Sequence, residues 1–253
     1  TDHCPGYASA AKYIATTLME LNLDAKVYDK GQVVVIEIMG RNAGWLTAAA
    51  SLAGYKGLGA DLIYLPEVPF SVEKFKKDVK RVMDENGGKC IACVSEGIRD
   101  KDKNFIVEKL SQEKAKDNFG HTQLGGLAIQ LADLISQEYG VKVRGVEFSL
   151  MQRSAAHLAS GVDVEEAFLA GREAVKVACA GITDKMVAFE RDMSSGSYKC
   201  VFKLLPLDVV ANAEKTVPLE WITEDGIGLK KEFIDYALPL IQGESKAPLE
   251  DGL

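Results

Sequence analysis

The stretch Met39-Gly40-Arg41-Asn42-Ala43-Gly44-Trp45 places one arginine in a glycine-containing turn. It lies between an apolar run, Val33 to Ile36, and an Ala/Leu-rich run, Leu46 to Ala53. That order reads as a buried strand, a turn and a helix. Gly40 lets the backbone approach a ligand closely, and the start of a following helix turns free N–H groups toward an anion. Arg41 adds a permanently charged planar fork that suits phosphate. On these residues alone two readings stay open: an anion-binding loop, or an ordinary strand-to-helix turn with a solvated arginine.

Other polar residues stand at comparable places. Glu96 follows the apolar run Cys90 to Val94 and precedes Gly97. A carboxylate there can accept hydrogen bonds from sugar hydroxyls without competing with arginines for phosphate. Solvated loop glutamate is the other reading. Glu67, after Leu65-Pro66, either faces a sugar or pairs a lysine. Arg144 and Arg153 sit nine residues apart across the end of the last strand of this half. His121 reads as a satisfied histidine at a helix start rather than an acid–base group, and His3 and His157 have no partner pattern.

The elements that must position these groups alternate. Tyr7 to Asn22 keeps a three-to-four-residue apolar spacing and reads as a helix. Strand Val33–Met39, helix Ala43–Leu52 and strand Asp61–Leu65 follow. Ser71 is the N-cap for a helix over Val72–Glu85, which Asn86-Gly87-Gly88 stops. Cys90–Val94 is a strand and Phe105–Gln112 a short helix. Leu124–Gln137 is a helix capped by Gly140, and Val141–Phe148 is the fourth strand. Strands alternating with helices imply a mostly parallel sheet with right-handed crossovers, whose ligands sit beyond the carboxyl ends of the strands. Arg41, Glu67, Glu96 and the Gln152-Arg153 pair all fall at or just after such ends. One edge of one sheet therefore gathers arginines and carboxylates.

After Arg153 the pattern changes. Ser154 to Ala180 is alanine-rich and helical, with an interruption near Gly161-Val162-Asp163. Lys185–Glu190 and Tyr198–Leu205 read as paired strands joined by Ser194-Ser195-Gly196-Ser197. Short helices and a tail follow Asn212.

The chain has 253 residues, enough for one large domain or two unequal ones. Its formal charge of -7 argues against a nucleic-acid binder, and no apolar stretch reaches the roughly 20 residues of a membrane span. The five cysteines form no disulfide framework or paired metal spacing; Cys90-Ile91-Ala92-Cys93 reads as small buried residues within a strand. A reducing cytoplasm fits that usage.

Several ordered strings carry a family resemblance. Met39-Gly40-Arg41 with Ala43-Gly44-Trp45, Leu65-Pro66-Glu67, Val94-Ser95-Glu96-Gly97, Phe119 to Gly126 and Gln152-Arg153 resemble the blocks of the phosphofructokinases, in that family's order. The wording is closest to the pyrophosphate-dependent bacterial branch. The resemblance implies an α/β fold: a Rossmann-like three-layer domain with a mostly parallel sheet, plus a partial second α/β domain. It assigns residues 1–150 to a sugar-phosphate-binding domain, and residues 151–253 to a portion returning to a donor-binding domain largely absent here.

It implies phosphoryl transfer to the 1-hydroxyl of fructose 6-phosphate in glycolysis, from pyrophosphate or ATP, with Mg²⁺ as cofactor, in a cytoplasmic homo-oligomer, dimer or tetramer. A non-catalytic sugar-phosphate binder and an inactive subunit of a larger enzyme are the alternatives. Met39, Gly40 and Arg41 form the substrate loop, with Arg41 neutralising charge on the transferring group. Glu96 contacts the fructose ring. Arg144, donated from a neighbouring subunit, and Arg153 contact the 6-phosphate. In the family a stretch like Thr1 to Gly6 follows directly on the catalytic aspartate motif, so the resemblance presents this chain as the carboxy-terminal portion of a longer enzyme. Gln32 stands where many relatives carry an arginine, and Leu150 where many carry a histidine or tyrosine. Both departures bear on the exact substrate more than on the reaction class.

Overall fold

The computed structural model describes residues 1–27, 29, 31–110, 126–245 and 248–251. In chain order its elements are α1 (Tyr7–Lys26), β1 (Val33–Ile38), α2 (Trp45–Ala48), α3 (Ser51–Gly54), β2 (Leu62–Tyr64), α4 (Val72–Glu85), β3 (Cys90–Ser95), α5 (Ile106–Leu110), α6 (Leu127–Tyr139), β4 (Val143–Glu147), α7 (Met151–Ser154), α8 (Gly161–Cys179), β5 (Lys185–Asp192), β6 (Lys199–Pro206), α9 (Leu207–Val210) and α10 (Lys231–Ala237). They form two compact units. One comprises Ile14–Gln152 with Thr216–Asp235, the other Thr1–Tyr13, Arg153–Lys215 and Tyr236–Leu253. The units interleave along the sequence, so Thr1–Tyr13 and Thr216–Asp235 each belong to the unit that a single division after residue 150 would not give them.

The first unit is built on a four-stranded sheet in the order β2-β3-β1-β4, with every pair parallel. Val33-Val34-Val35-Ile36 and Cys90 to Val94 are buried at every position, as expected of parallel strands covered on both faces. One face carries Val33, Val35, Leu62, Tyr64, Cys90, Ala92 and Val94, packed with Phe75, Val79, Val82 and Met83 of α4 and Leu127, Leu131 and Ile135 of α6. Residues of the other parity, Val34, Ile36, Ile63, Ile91 and Cys93, are buried outside that cluster, and α2 lies against β2 and β3.

Cys90 and Cys93 thus point to opposite faces of the sheet, as three-residue spacing on a strand requires. All five cysteines are free, and burial pushes the Cys90 and Cys93 thiols well above the usual range. This pair is packing, not redox or metal chemistry.

Most expected elements appear with boundaries shifted by a residue or two. The α4 helix spans the expected range, and the Ser71 side chain accepts from the Lys74 N–H at 3.3 Å. Gly140 closes α6 in the left-handed conformation. The expected helix over Ala43–Leu52 is instead two single turns, α2 and α3. Between them the bonds tighten, with Ala50 N–H donating to Thr47 and Leu52 N–H to Ala49, three residues back rather than four. The expected start of α6 at Leu124, His121 and most of the Phe119–Gly126 block lie outside the described residues.

The second unit contains α8 and the antiparallel hairpin β5-β6, paired from Lys185↔Pro206 to Asp192↔Lys199. Gly161 does not interrupt a helix but begins one. A 3₁₀ turn at Ala156–Leu158 comes first, and Ser160 then caps α8, its side chain accepting from the Asp163 N–H. Asp163 in turn accepts from the Gly6 and Ser9 N–H groups at 2.8 and 3.0 Å and from the Ser9 hydroxyl at 2.5 Å, fixing the start of α1.

His3, without partners in the sequence pattern, is 7% exposed and lies between two carboxylates. Nδ1 is 2.9 Å from Asp2 Oδ2 and Nε2 is 2.8 Å from Glu166 Oε2, while Tyr198 donates to Glu166 Oε1 at 2.7 Å and Arg191 to Asp2 at 3.2 Å. Burial alone would depress the His3 pKa. Hydrogen bonds to Asp2 and Glu166, and their charges, outweigh it and hold the imidazole above its ordinary value.

Candidate functional site

The register of the sheet brings the strand exits together. Ile38 is opposite Ser95, Glu37 opposite Glu147, and Tyr64 opposite Val94. The chain therefore leaves β1, β3, β4 and β2 at one level, delivering Met39-Gly40-Arg41, Glu96 and Glu67 to the carboxyl edge. This is the edge where α/β sheets bind ligands.

The Gly40-Arg41 backbone is held on several sides. Gly40 has φ +155°, and a Cβ there would meet Ala43 O and Ser95 Oγ at 2.8 Å. The Ser95 hydroxyl donates to Gly40 O at 2.6 Å, and Gly40 N–H donates to Glu96 Oε1 at 3.2 Å. Underneath lies Gly97, where a Cβ would sit 2.5 Å from the Arg41 carbonyl carbon and closer still to the Gly40 and Arg41 oxygens. Asn42 Oδ1 accepts from Arg99 Nη2 at 2.7 Å. Met39 N–H donates to Gln152 Oε1 at 3.3 Å, and Gln152, 1% exposed, donates onward to Ser149 O at 2.9 Å. The loop is thus fixed by β3's exit and by the segment after β4.

The side chains divide accordingly. Arg41 is partly exposed, and among the described residues no carboxylate forms an ion pair with it. Its charge remains available to an anion. Glu96 accepts from the Gly40 N–H through Oε1. Glu67 supports the loop from behind: its Oε1 accepts from Gly44 N–H at 2.8 Å and Val217 N–H at 2.9 Å, while buried Oε2 has no partner. That use of Glu67 is neither of the two the sequence left open.

Arg144 is not at the strand end. It is the second residue of β4, opposite Val34, and exposed on the edge strand of the sheet. Three residues separate it from Glu147, roughly 10 Å at about 3.3 Å per residue. Its own strand therefore does not carry it to the Arg41–Glu96 cluster. Arg153 is exposed and belongs to the second unit. Gln32 is buried with Oε1 unpartnered, and Leu150 is 55% exposed.

Two site residues escaped the sequence reading. Gly97 was present in a quoted block, but its role as the floor under Arg41 needs the fold. Glu37 looks like one acid in an apolar strand, yet it is 5% exposed and accepts from Ala128 N–H at 3.0 Å. Burial, with the nearby charges of Glu147 and Glu96, raises its pKa to about 7 against the bonds from Ala128 and Leu127. Among the described residues no group of three His, Cys, Asp or Glu side chains could hold a metal ion.

The sequence description of the family named Phosphofructokinase matches residues 1–146. The chain belongs to the phosphofructokinase family. It is 40% identical over 260 residues to the pyrophosphate–fructose 6-phosphate 1-phosphotransferase of Halomonas elongata, covering all of this chain and 60% of that protein. Against the enzyme of the same name from Xanthomonas campestris pv. campestris it is 41% identical over 255 residues, covering 100% and 59%. The crystal structure of pyrophosphate-dependent phosphofructokinase from Marinobacter aquaeolei superposes with a TM-score of 0.85 at 37% identity, over 100% of this chain and 59% of that one. The chain spans about 60% of the length of the curated relatives it matches. The α/β phosphofructokinase fold with its parallel central sheet matches the expectation from the sequence. No helix among the described residues is long and apolar enough to cross a membrane.

Proposed function

We propose that the whole protein transfers a phosphoryl group from pyrophosphate to the 1-hydroxyl of fructose 6-phosphate, and that the sheet unit of this chain binds the acceptor sugar. The observation that carries the proposal is the Met39-Gly40-Arg41 loop. It is clamped by Ser95, Glu96, Gly97 and Gln152, and it holds an arginine without an ion-pair partner among the described residues at the carboxyl edge of the sheet. The names of the relatives from Halomonas elongata and Xanthomonas campestris pv. campestris support the donor.

In this reading Arg41 neutralises charge that grows on the transferring group, where preorganised donors contribute most of the rate. Met39 and Gly40 shape the approach, and Glu96 accepts from sugar hydroxyls through the oxygen not bonded to Gly40. Arg153 binds the 6-phosphate. Arg144 binds the 6-phosphate of a neighbouring subunit, a role suited to an exposed arginine on the edge strand of the described sheet. That sharing requires a homo-oligomer with twofold pairing, dimer or tetramer. The bond between the bridging oxygen and the transferred phosphorus breaks, a bond to the sugar 1-oxygen forms, and the hydroxyl proton leaves to a base outside the residues assigned here. Mg²⁺ is the proposed cofactor of the whole protein, the cytoplasm its proposed location, and glycolysis the setting of the reaction.

The test is direct. The complete protein, given fructose 6-phosphate, pyrophosphate and Mg²⁺, should yield fructose 1,6-bisphosphate and orthophosphate in equal amounts by phosphorus NMR. Turnover with ATP but not pyrophosphate would overturn the donor assignment. No turnover with either would overturn the reaction.

A further inference from the structure

The α6 helix begins without a side-chain cap from its own neighbourhood. Gly126 precedes it with φ +79°, no side chain bonds at the N-cap, and the first turn has no acidic residue. The first N–H groups of a buried helix need acceptors, and Leu127 and Ala128 are both fully buried. Glu37 supplies one from the sheet: Oε2 accepts from Ala128 N–H at 3.0 Å, and the Leu127 N–H contributes as well. It is the one charged residue of β1.

A second strand presses on the same turn. Val35 pairs with Gly145 and Glu37 with Glu147, so all four share one face of the sheet. A Cβ at Gly145 would lie 2.8 Å from Ile129 Cα and 2.9 Å from the Ala128 carbonyl. The first turn of α6 therefore lies directly on β4 while Glu37 holds its N–H groups from β1. Two residues beyond Glu37 the chain enters the Met39-Gly40-Arg41 loop. The Glu37 carbonyl also accepts from Phe148 N–H at 3.1 Å, which ties in the exit of β4.

We propose that Glu37 is a positioning residue: its carboxyl fastens the start of α6 to β1 at the root of the Arg41 loop, so that the helix and the loop keep one geometry. The inference rests on the acceptor-binding reading above and adds a residue that touches no substrate. The groups facing its carboxyl are the Ala128 and Leu127 N–H groups of α6, Glu147 of β4 and Glu96 after β3; all the charges among them are negative. Its ionisation near pH 7 follows first from burial and then from that negative company. An opening that let water reach Glu37 would restore its ordinary pKa, so opening becomes easier as pH rises through about 7. Ionisation strengthens the N–H bonds themselves but loses more to burial and to repulsion from Glu147 and Glu96, so the net hold is better when Glu37 is neutral; the ionised form also repels a phosphate anion.

Glu37→Gln keeps an acceptor oxygen and is neutral at every pH. In the complete protein, the wild-type Michaelis constant for fructose 6-phosphate divided by that of Glu37→Gln should be near one at about pH 6 and roughly threefold to tenfold at about pH 8. Turnover should change little, as for an interaction equal in ground and transition states. Taking the ratio cancels the substrate phosphate's own titration. Glu37→Ala separates positioning from repulsion. Losing the fastener should raise the Michaelis constant at about pH 6, whereas mere loss of repulsion leaves it there unchanged.

Amide exchange at residues 127–129 in the substrate-free protein gives an independent reading. It should be slower in Glu37→Gln than in wild type at about pH 8, with the difference shrinking as pH falls and vanishing only towards the ordinary value of 4.5. A flat ratio, an unraised constant in folded Glu37→Ala, or unchanged exchange overturns the proposal. If the complete protein shows no turnover at all, the functional reading falls, and exchange decides the role of Glu37 in fastening α6.

Discussion

Gly97→Ala is the perturbation that most sharply probes how the loop is held. Gly97 has no left-handed φ, so alanine fits its backbone conformation and the cost comes from space alone. The added methyl would lie 2.5 Å from the Arg41 carbonyl carbon, and closer to two carbonyl oxygens. These are backbone atoms, not the flexible end of a side chain, so the loop itself must rise by on the order of 1 Å, a displacement that can cost about 10²-fold in turnover. Overpacking of this kind costs about 1–3 kcal/mol in stability. Gly171→Ala in α8 is the control: nothing lies within 4 Å of its Cβ position, and removing a helix-interior glycine stabilises by roughly 0.5–1 kcal/mol. Steady-state kinetics and chemical denaturation of both variants of the complete protein decide the matter. Wild-type turnover in folded Gly97→Ala would refute the reasoning that Gly97 sets the height of Arg41.

Other expectations follow from single contacts. Glu67→Ala strips the acceptor from Gly44 and Val217 N–H and should lower stability by about 2–4 kcal/mol in urea unfolding, whereas Glu67→Gln should retain most of it. Because the Glu37 pKa rises from 4.5 to about 7 on folding, its contribution is fully present below 4.5 and is lost as pH rises through about 7. Stability relative to Glu37→Gln should therefore fall by about 3 kcal/mol over that window, read from unfolding midpoints against pH. His3 has the opposite charge type but the same direction of loss: its raised pKa stabilises below its ordinary value of 6.5 and fades as pH climbs through the folded value. His3→Gln should abolish that part of the pH dependence, and a curve parallel to wild type would contradict the buried ion-pair account.

The parallel sheet was legible because its strands are short apolar runs punctuated by Pro66, Gly87-Gly88 and Gly140, and because Ser71 begins α4 with a capping side chain. The arrival of Arg41, Glu67 and Glu96 at one edge followed from strand polarity, a property of the pattern. What each carboxylate does there did not. Glu67 turned out to hold backbone N–H groups on Gly44 and on Val217, and the second lies 150 residues away, beyond any local reading. Glu37 was missed for a similar reason: its partner Ala128 belongs to a helix 91 residues downstream. Arg144 and Arg153 lie on either side of the end of β4, as the spacing implied, but how far Arg144 stands from that end follows only from its register with Val34. The α2–α3 region misled because an Ala/Leu-rich run has helical propensity whichever hydrogen-bond spacing the turn finally takes. His3 shows the same limit, since Glu166 and Tyr198 meet it only through the fold of the second unit.

The central claim is that the Arg41 loop acts on the transferring phosphoryl group while Arg153 holds the sugar phosphate. The measurement that tests it most directly is the steady-state comparison of Arg41→Ala and Arg153→Ala in the complete protein, with fructose 6-phosphate and pyrophosphate varied in turn. Arg41→Ala should cut turnover by about 10²–10³ with a much smaller change in sugar-phosphate affinity, as loss of one preorganised donor does. Arg153→Ala should chiefly raise the Michaelis constant for fructose 6-phosphate. Lysine at either place should rescue in part, keeping the charge without the two-pronged geometry. If Arg41→Ala leaves turnover intact and weakens only binding, the catalytic role of this loop is contradicted.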